Sequence, residues 1–341
     1  MNAVTLKKSN IDSFLKNLKK NYEVIGPKRK GQSTDYHFDR IASADEMAMD
    51  YDNSIIPPKK FLLPPFETIM RFEKGRPVPQ YPVLGRKQVI FGIRSCDLSS
   101  FLYLDMVYSS HRTDPRYRLR RENLLTIVNT CPDICDGGFC ESMGSGPIPK
   151  VGFDLLMTDL GNRFLVETGS ENGALLLGMA VTSPATLAEL ARKKRTISGL
   201  MRRASKNIDV RKLPGLINAG LDHGVWAEIG EKCIDCGQCA MVCPTCFCFD
   251  IQDRMEPSLE RGERCRTWDV CLLQEFSGVA MGGNFRRARK DRLRQFQAHN
   301  LGYSQAQFGS PKCVGCGRCI RVCPVHIDIR ETIKALRRGT R

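Results

Sequence analysis

The 341-residue sequence contains no hydrophobic run long enough to cross a membrane and no segment with the features of a secretory signal. A spanning helix needs roughly 18 consecutive apolar residues, and no stretch approaches that length. Sixteen cysteines occur without such a signal. Thiols in that context stay reduced and bind metals more often than they pair. The sequence therefore predicts a cytoplasmic chain that does not contact membranes.

Nucleotide-binding fingerprints are absent as well. No G-x-G-x-x-G run follows a predicted strand, so we expect no flavin or nicotinamide on this chain. There is no helicase P-loop, and the basic runs at residues 192–203, 286–294 and 337–341 contain no interleaved aromatic residues. We interpret these runs, which contribute to a net charge of +15, as solvated helix faces or as contacts for an acidic protein. Nucleic acid is disfavoured as a partner.

Cysteine is abundant, and half of it falls into two copies of one spacing. Each copy reads C-x2-C-x2-C-x3-C-P, and the residues are Cys233, Cys236, Cys239, Cys243, Cys313, Cys316, Cys319 and Cys323. This is the bacterial ferredoxin run that binds 4Fe–4S clusters. Zinc or disulfides are the alternative, but zinc sites use paired C-x2-C knuckles. The chain is therefore expected to carry electrons on two clusters.

The fourth cysteine of each run is expected to serve the other cluster. Three thiolates two residues apart can surround one cubane, whereas the fourth begins the next helix and in two-cluster ferredoxins ligates the second cluster. The first cluster is assigned to Cys233, Cys236, Cys239 and Cys323. The second cluster is assigned to Cys313, Cys316, Cys319 and Cys243. Gly237 and Gly317 hold the same place in both runs and are expected to adopt positive φ.

The distribution of apolar residues predicts an α+β protein. Residues 87–94 and 124–130 are β-rich runs on either side of a helical stretch at 98–108, which Asp97 could cap. This pattern predicts a βαβ unit, and a hairpin is expected to follow it at residues 153–168. The first twenty residues have the pattern of an amphipathic helix.

The region around the two cysteine runs has helical patterns between them. We therefore predict that an N-terminal α/β domain is followed by an all-helical two-cluster ferredoxin-type domain. The predicted boundaries are 1–175 for the α/β domain, 176–228 for a helical linker and 229–341 for the ferredoxin-type domain.

Four more cysteines form a candidate third cluster site, and they are Cys96, Cys131, Cys135 and Cys140. Cys96 and Cys131 directly follow the two strands of the βαβ unit. The carboxyl ends of parallel strands share one edge, where α/β sheets bind ligands. A glycine-rich loop after Cys131 carries the other two cysteines. The alternative is that all four are small buried hydrophobes, and Asp97 could replace Cys135 as the fourth ligand.

The last four cysteines, Cys246, Cys248, Cys265 and Cys271, fit no standard ligand run. We interpret them as packing beside the clusters, with Trp268 as an apolar wall. A dithiol or metal site is the alternative, and it would make the chain an iron–sulfur disulfide or sulfur reductase in its own right. Alkylation separates the two, because catalytic thiols are exposed and have a low pKa.

Several motifs together resemble one known family. They are RSCD at residues 94–97, FCESMG at 139–144, CPTCFC at 243–248 and RGER at 261–264. They are similar to those of the iron–sulfur electron-transfer subunits of anaerobic sulfite reductases and to the β subunits of cytoplasmic nickel–iron (sulf)hydrogenases. The resemblance runs from about Phe61 onward. It carries over to the eight cysteines of the two runs and to Cys96, Cys131 and Cys140.

The resemblance implies that the chain transfers electrons within a soluble, multi-subunit, flavin-dependent complex. Such a chain relays single electrons between two partners. One is a ferredoxin-reductase-like subunit that binds FAD and NAD(P)H. The other is a catalytic subunit of the nickel–iron hydrogenase, sulfite reductase or heterodisulfide reductase type. The sequence does not specify the terminal acceptor, because that chemistry would lie on another chain.

Charge near the two runs differs. The first run contains Asp235, whereas the second contains Arg318 and is flanked by Lys312 and Arg321. Positive charge stabilises the more negative reduced cluster. We therefore expect the second cluster to have the higher reduction potential.

Overall fold

The computed structural model describes residues 3–33, 35–110, 113–204 and 208–339. The strands in these residues are β1 Val4–Lys7, β2 Glu23–Arg29, β3 Tyr36–Arg40, β4 Phe66–Glu73, β5 Arg76–Pro79, β6 Gln88–Ile93, β7 Leu124–Asn129, β8 Leu155–Asp159, β9 Arg163–Thr168, β10 Thr182–Pro184, β11 Phe249–Met255 and β12 Arg261–Trp268. The helices are α1 Ile11–Asn21, α2 Ser95–Ser109, α3 Pro115–Glu122, α4 Glu171–Leu177, α5 Leu187–Ala204, α6 Leu213–Ala219, α7 Val225–Lys232, α8 Gln238–Met241, α9 Arg289–Ala298, α10 Ser304–Phe308, α11 Arg318–Arg321 and α12 Ile329–Gly339.

The predicted βαβ unit is confirmed and forms the centre of an eight-stranded sheet. The strand order is β10-β1-β9-β8-β7-β6-β2-β3, and β2, β6, β7 and β8 run parallel. Every residue of β7 is buried, as expected for a parallel strand covered on both faces. The crossover contains α2 and also α3, which the sequence did not predict. Asp114 caps α3 by accepting hydrogen bonds from the backbone N–H groups of Arg116 and Tyr117.

Both ends of the sheet are antiparallel. The predicted hairpin is confirmed as β8 and β9, which pair from Leu155↔Thr168 to Asp159↔Phe164. The helix predicted for the first twenty residues is wrong at its start, because β1 lies between β9 and β10 and α1 begins only at Ile11. Pairing with distant strands there outweighs the local helical pattern. The first two residues lie outside the described part of the chain.

A second, four-stranded antiparallel sheet joins the two halves of the chain. Its order is β11-β12-β4-β5, so a strand of the first half pairs with a strand of the second. The prediction of an all-helical C-terminal domain is therefore wrong. The protein is a mixed α/β structure, in which the eight-stranded sheet lies in the N-terminal half and the four-stranded sheet is shared by both halves. The domain boundaries stay a prediction.

Contacts between β4 and β12 explain the pairing. Glu67 of β4 accepts hydrogen bonds from Arg266 of β12 and from Arg120 of α3, and all three side chains are largely buried. The Trp268 indole N–H, at the end of β12, donates to the Leu63 carbonyl at 2.9 Å. These partners are far apart in sequence, so no local periodicity reveals the sheet.

The helices of the C-terminal half pack around the cysteine runs. Helices α6, α7 and α12 share an apolar cluster that includes Ile217, Trp226 and Ile333. Short helices α8 and α11 each follow a glycine in the left-handed region, with φ of 70° at Gly237 and 77° at Gly317, as predicted. Among the described residues, none of the helices combines the length and apolar character that spanning a bilayer requires.

Candidate iron–sulfur sites

The first site is formed by Cys233, Cys236, Cys239 and Cys323, which line one cavity. Cys233 follows α7, Cys239 lies on α8, and apolar side chains such as Phe296 complete the wall. Cys236 is exposed. Burial raises the pKa of the Cys239 thiol, and the neighbouring Cys233 and Cys323 raise it further. Buried thiols that repel one another as thiolates need a compensating cation, so this set of donors fits an iron–sulfur cluster.

The second site is formed by Cys313, Cys316, Cys319 and Cys243, which line another cavity. The Gly315 N–H donates a 3.4 Å hydrogen bond to the Cys313 sulfur, and the Thr245 hydroxyl lies 3.3 Å from the Cys243 sulfur. Burial raises the pKa of the Cys313 thiol, although the Gly315 N–H opposes this effect. Hydrogen bonds to sulfur and low exposure are the features by which proteins tune cluster potentials. The donor set fits a second 4Fe–4S cluster.

The two sites adjoin one another through Cys319. This residue lines the cavity of the first site as well as that of the second. Burial and the neighbouring Cys313, Cys316 and Cys239 raise its pKa. An electron therefore has a short path between the two groups of thiols.

The third set of cysteines is also brought together. Cys96 lies in the first turn of α2 and Cys131 follows β7, as the parallel topology predicts. Burial raises the pKa of Cys135, and Cys131 and Cys140 raise it further. Burial, Cys131 and Cys316 raise the pKa of Cys140 to about 12. The third set thus adjoins the second site, while its role as a ligand set stays a prediction.

A glycine and a hydrogen-bonded loop hold the third set close to the second. The Phe139 N–H donates to the Gly315 carbonyl at 2.7 Å, and the Ser145 hydroxyl donates to the Val314 carbonyl at 2.5 Å. A Cβ at Gly317 would lie 2.6 Å from the Asp136 carbonyl oxygen. Only glycine permits this approach, so the glycine of the second run serves contact between the two loops.

Asp97 does not cap α2. The helix begins at Ser95 after Arg94, and Asp97 lies within its first turn. Its carboxylate forms an ion pair with the Arg318 guanidinium at 2.9 and 3.0 Å, and neither side chain has any exposure. Because Arg318 already engages this carboxylate, the geometry favours Cys135 over Asp97 as the fourth ligand.

Arg318 lies between the second and third sets. It also donates to the Ser54 carbonyl at 2.6 Å. Burial opposes its charge, yet Asp97, Cys316 and Cys96 hold its pKa well above the ordinary value. Asp97 neutralises Arg318, so Arg318 does not present the unbalanced positive charge to the second cluster that the sequence suggested.

Two buried lysines, Lys59 and Lys312, place positive charge beside the second set of cysteines. Sequence reasoning missed Lys59. The Lys59 ammonium donates to the carbonyls of Cys243 and Cys246 at 2.7 and 2.6 Å and lies 4.6 Å from the centre of the Trp268 ring. Lys59 is only 3% exposed. Its signal was available in the sequence, since it stands in a proline- and leucine-rich stretch where a charged residue is unusual.

Lys312 is the second buried cation and is 1% exposed. Its ammonium lies 5.0 Å from the centre of the Phe247 ring and 3.4 Å from His299 Nδ1. Burial and Lys312 lower the pKa of His299 to about 4, so its imidazole is neutral and can accept a hydrogen bond from Lys312.

Three of the remaining four cysteines lie together, and the fourth lies apart from them. Cys246, Cys248 and Cys271 belong to one buried cluster beside these lysines. Cys265 is fully buried on β12 beside Thr68 and Glu263, away from the other three. Over the described residues, no three His, Cys, Asp or Glu side chains converge closely enough to hold a single metal ion.

Comparison with known proteins gives two matches. Residues 232–327 match the family described as a 4Fe-4S dicluster domain, and this span includes all eight cysteines of the two runs. Over nearly its whole length the chain is similar to sulfhydrogenase 2 subunit beta of Pyrococcus furiosus. The two are 32% identical over 343 residues, which cover 99% of each chain.

Proposed function

The chain belongs to the family of sulfhydrogenase β subunits, and we propose that it relays single electrons through adjacent iron–sulfur clusters within a multi-subunit oxidoreductase complex. The observation that carries this proposal is the contiguity of the three cysteine sets. Cys140 neighbours Cys316, and Cys319 neighbours Cys239, so the sets form a row from the strand edge to the exposed Cys236.

The protein's own residues in this relay hold the thiolates and exclude water. Each bound 4Fe–4S cluster accepts and releases one electron at a time. The cysteines of the second and third sets are buried or partly buried, whereas Cys236 of the first set is exposed. Electrons would therefore enter or leave at the first site, and Lys312 would favour the reduced state of the second.

A third 4Fe–4S cluster on Cys96, Cys131, Cys135 and Cys140 is part of this proposal. The support is that two buried cysteines, Cys96 and Cys131, and two partly buried ones, Cys135 and Cys140, lie together at the edge of a sheet beside the second ferredoxin-type run. A fully reconstituted chain should hold about twelve irons, against about eight for two clusters. Cys140→Ala should remove about four, whereas the control Cys265→Ala, which alters a buried cysteine elsewhere, should remove none. Eight irons in both variants and in the parent chain would refute the third cluster.

Partners follow from the chemistry that the chain lacks. No dinucleotide fingerprint is present, so another subunit must split the electron pair of a hydride into single electrons. We propose an FAD- and NAD(P)H-binding, ferredoxin-reductase-like partner in the cytoplasm. A catalytic partner of the nickel–iron hydrogenase, sulfite reductase or heterodisulfide reductase type would exchange electrons at the other end.

The test is anaerobic reduction of the purified chain with and without its copurifying flavoprotein. NAD(P)H should bleach the cluster absorbance only when the flavoprotein is present. EPR of the reduced chain should show cluster signals broadened by magnetic interaction, because the sets adjoin one another. Unbroadened signals from isolated clusters would contradict a relay.

A further inference from the structure

Cys248 and Cys271 are held together by the end of the second sheet. The last residue pair of β11 and β12 is Phe249↔Trp268, and the Asp269 N–H then donates to the Cys248 carbonyl at 3.1 Å. Cys271 lies two residues further on, and both cysteines pack in the same buried cluster. The backbone therefore brings together two thiols that belong to neither ferredoxin-type run.

The pair is asymmetric in its exposure. Cys248 is partly exposed and lines a narrow cleft with Tyr108, Arg266 and Trp268. Cys271 is 7% exposed and does not line that cleft. Of the two residues, Cys248 is therefore the one in contact with solvent, and Cys271 is the more deeply buried.

The surroundings stabilise a thiolate. Among the described residues, neither Lys59 nor Lys312 forms an ion pair with a carboxylate, and a buried cation without a counter-charge is destabilising. The nearest groups able to carry negative charge are Cys243, Cys246 and Cys248. In agreement, a hydrogen bond from Cys271, opposed by burial and assisted by Lys312, lowers the pKa of Cys248 to about 6.

We propose that Cys248 and Cys271 form a redox-active pair that reacts with a low-molecular-weight disulfide. Cys248 gives up its proton, and its thiolate attacks one sulfur of the disulfide RSSR, which breaks the S–S bond, forms a mixed disulfide and releases RS⁻; this takes up a proton to become RSH. The Cys271 thiol then gives up its proton and attacks the Cys248 sulfur, which closes an intramolecular disulfide and releases the second RS⁻, in turn protonated to RSH. The protein pair loses two electrons and two protons, and RSSR gains them.

Regeneration rests on the proposed electron relay. The protein disulfide takes two electrons, one after the other, and two protons to return to two thiols. Both ferredoxin-type sites lie close to the pair. Cys246, which packs with the pair, neighbours Cys243 of the second site, and the same group of side chains includes Cys233 and Cys239 of the first. The chain would then reduce a disulfide itself as well as carry electrons.

The test uses the anaerobically reconstituted whole chain and hydroxyethyl disulfide as the probe. After acid quenching, differential alkylation and mass spectrometry should find Cys248 and Cys271 joined, and dithionite should restore both thiols. Cys271→Ser should trap the mixed disulfide on Cys248, whereas Cys248→Ser should give none. Cys265→Ser is the matched control, because Cys265 is buried in the same sheet beside no other cysteine, and it should behave as the parent chain.

Measuring the iron content and the EPR spectra of the same samples tells whether the proposed cysteine pair or the proposed electron relay has failed. Intact clusters with both cysteines unmodified would overturn the pair and leave the relay standing. Loss of iron in Cys248→Ser would also overturn it, because Cys248 would then be a cluster ligand. Disulfide formation in a chain whose clusters do not interact would support the pair and overturn the relay that regenerates it.

Discussion

Asp97→Asn should strongly destabilise the protein. The substitution keeps the shape of the side chain but removes the charge that balances Arg318. Both side chains are fully buried, so water does not screen the guanidinium that remains. Leaving one partner of a buried ion pair unpaired costs about 3–5 kcal/mol. The hydrogen bonds from Arg318 to the Ser54 carbonyl and hydroxyl oxygens supply no full counter-charge.

Anaerobic urea unfolding, followed by cluster absorbance and far-UV circular dichroism, measures this loss. With an m-value of about 3 kcal/mol/M, the midpoint should fall by roughly 1–2 M. The double variant Asp97→Leu/Arg318→Met should recover most of the loss, because replacing a buried pair by apolar groups is often neutral. Asp253→Asn is the control, since its partner Arg264 is solvent-exposed, and it should leave the midpoint unchanged. Equal midpoints for Asp97→Asn and Asp253→Asn would refute the reasoning.

Three further outcomes are expected. Lys312→Met should lower the potential of the second cluster by on the order of 60 mV in an EPR redox titration. Arg321→Met should lower it less, since Arg321 is partly exposed and paired with a carboxylate; equal shifts would contradict the assignment of charge to Lys312. Gly317→Ala should lower the urea midpoint more than Gly282→Ala does. Both glycines have positive φ, but only at Gly317 would the Cβ meet backbone, so equal losses would mean that φ alone matters. The purified chain alone should retain no flavin and resist reduction by NADH, and stoichiometric FAD in it would count against this.

Features that depend on neighbouring residues could be predicted from the sequence. The order of a β-rich run, a helical stretch and a second β-rich run in residues 87–130 predicted the βαβ unit. The parallel strands of that unit in turn placed Cys96 and Cys131 together. The glycines before α8 and α11 adopt the positive φ that their position in the runs suggested.

Features that depend on distant partners could not be predicted. Strand β12 contains three arginines and pairs with a strand far away in sequence, so its own pattern did not indicate a sheet. Asp97 resembles a helix cap until Arg318 of the other half is placed beside it. The apolar stretch around Lys59 hints that its charge is unusual, but its carbonyl partners at Cys243 and Cys246 lie far away in sequence and could not be predicted.

The sheet shared by the two halves governs the order in which the protein can be made. Domains generally fold as they leave the ribosome, amino-terminal first. Here β4 can pair only with β5 until β12 has been synthesised, so its other edge stays unpaired, and an unpaired strand edge invites contacts with other chains. Asp97 likewise has no ion-pair partner until Arg318 has been synthesised. The Phe139 N–H in turn has no acceptor until Gly315 has been synthesised. The thiols of the amino-terminal half therefore reach their final arrangement only after the second cysteine run has been synthesised.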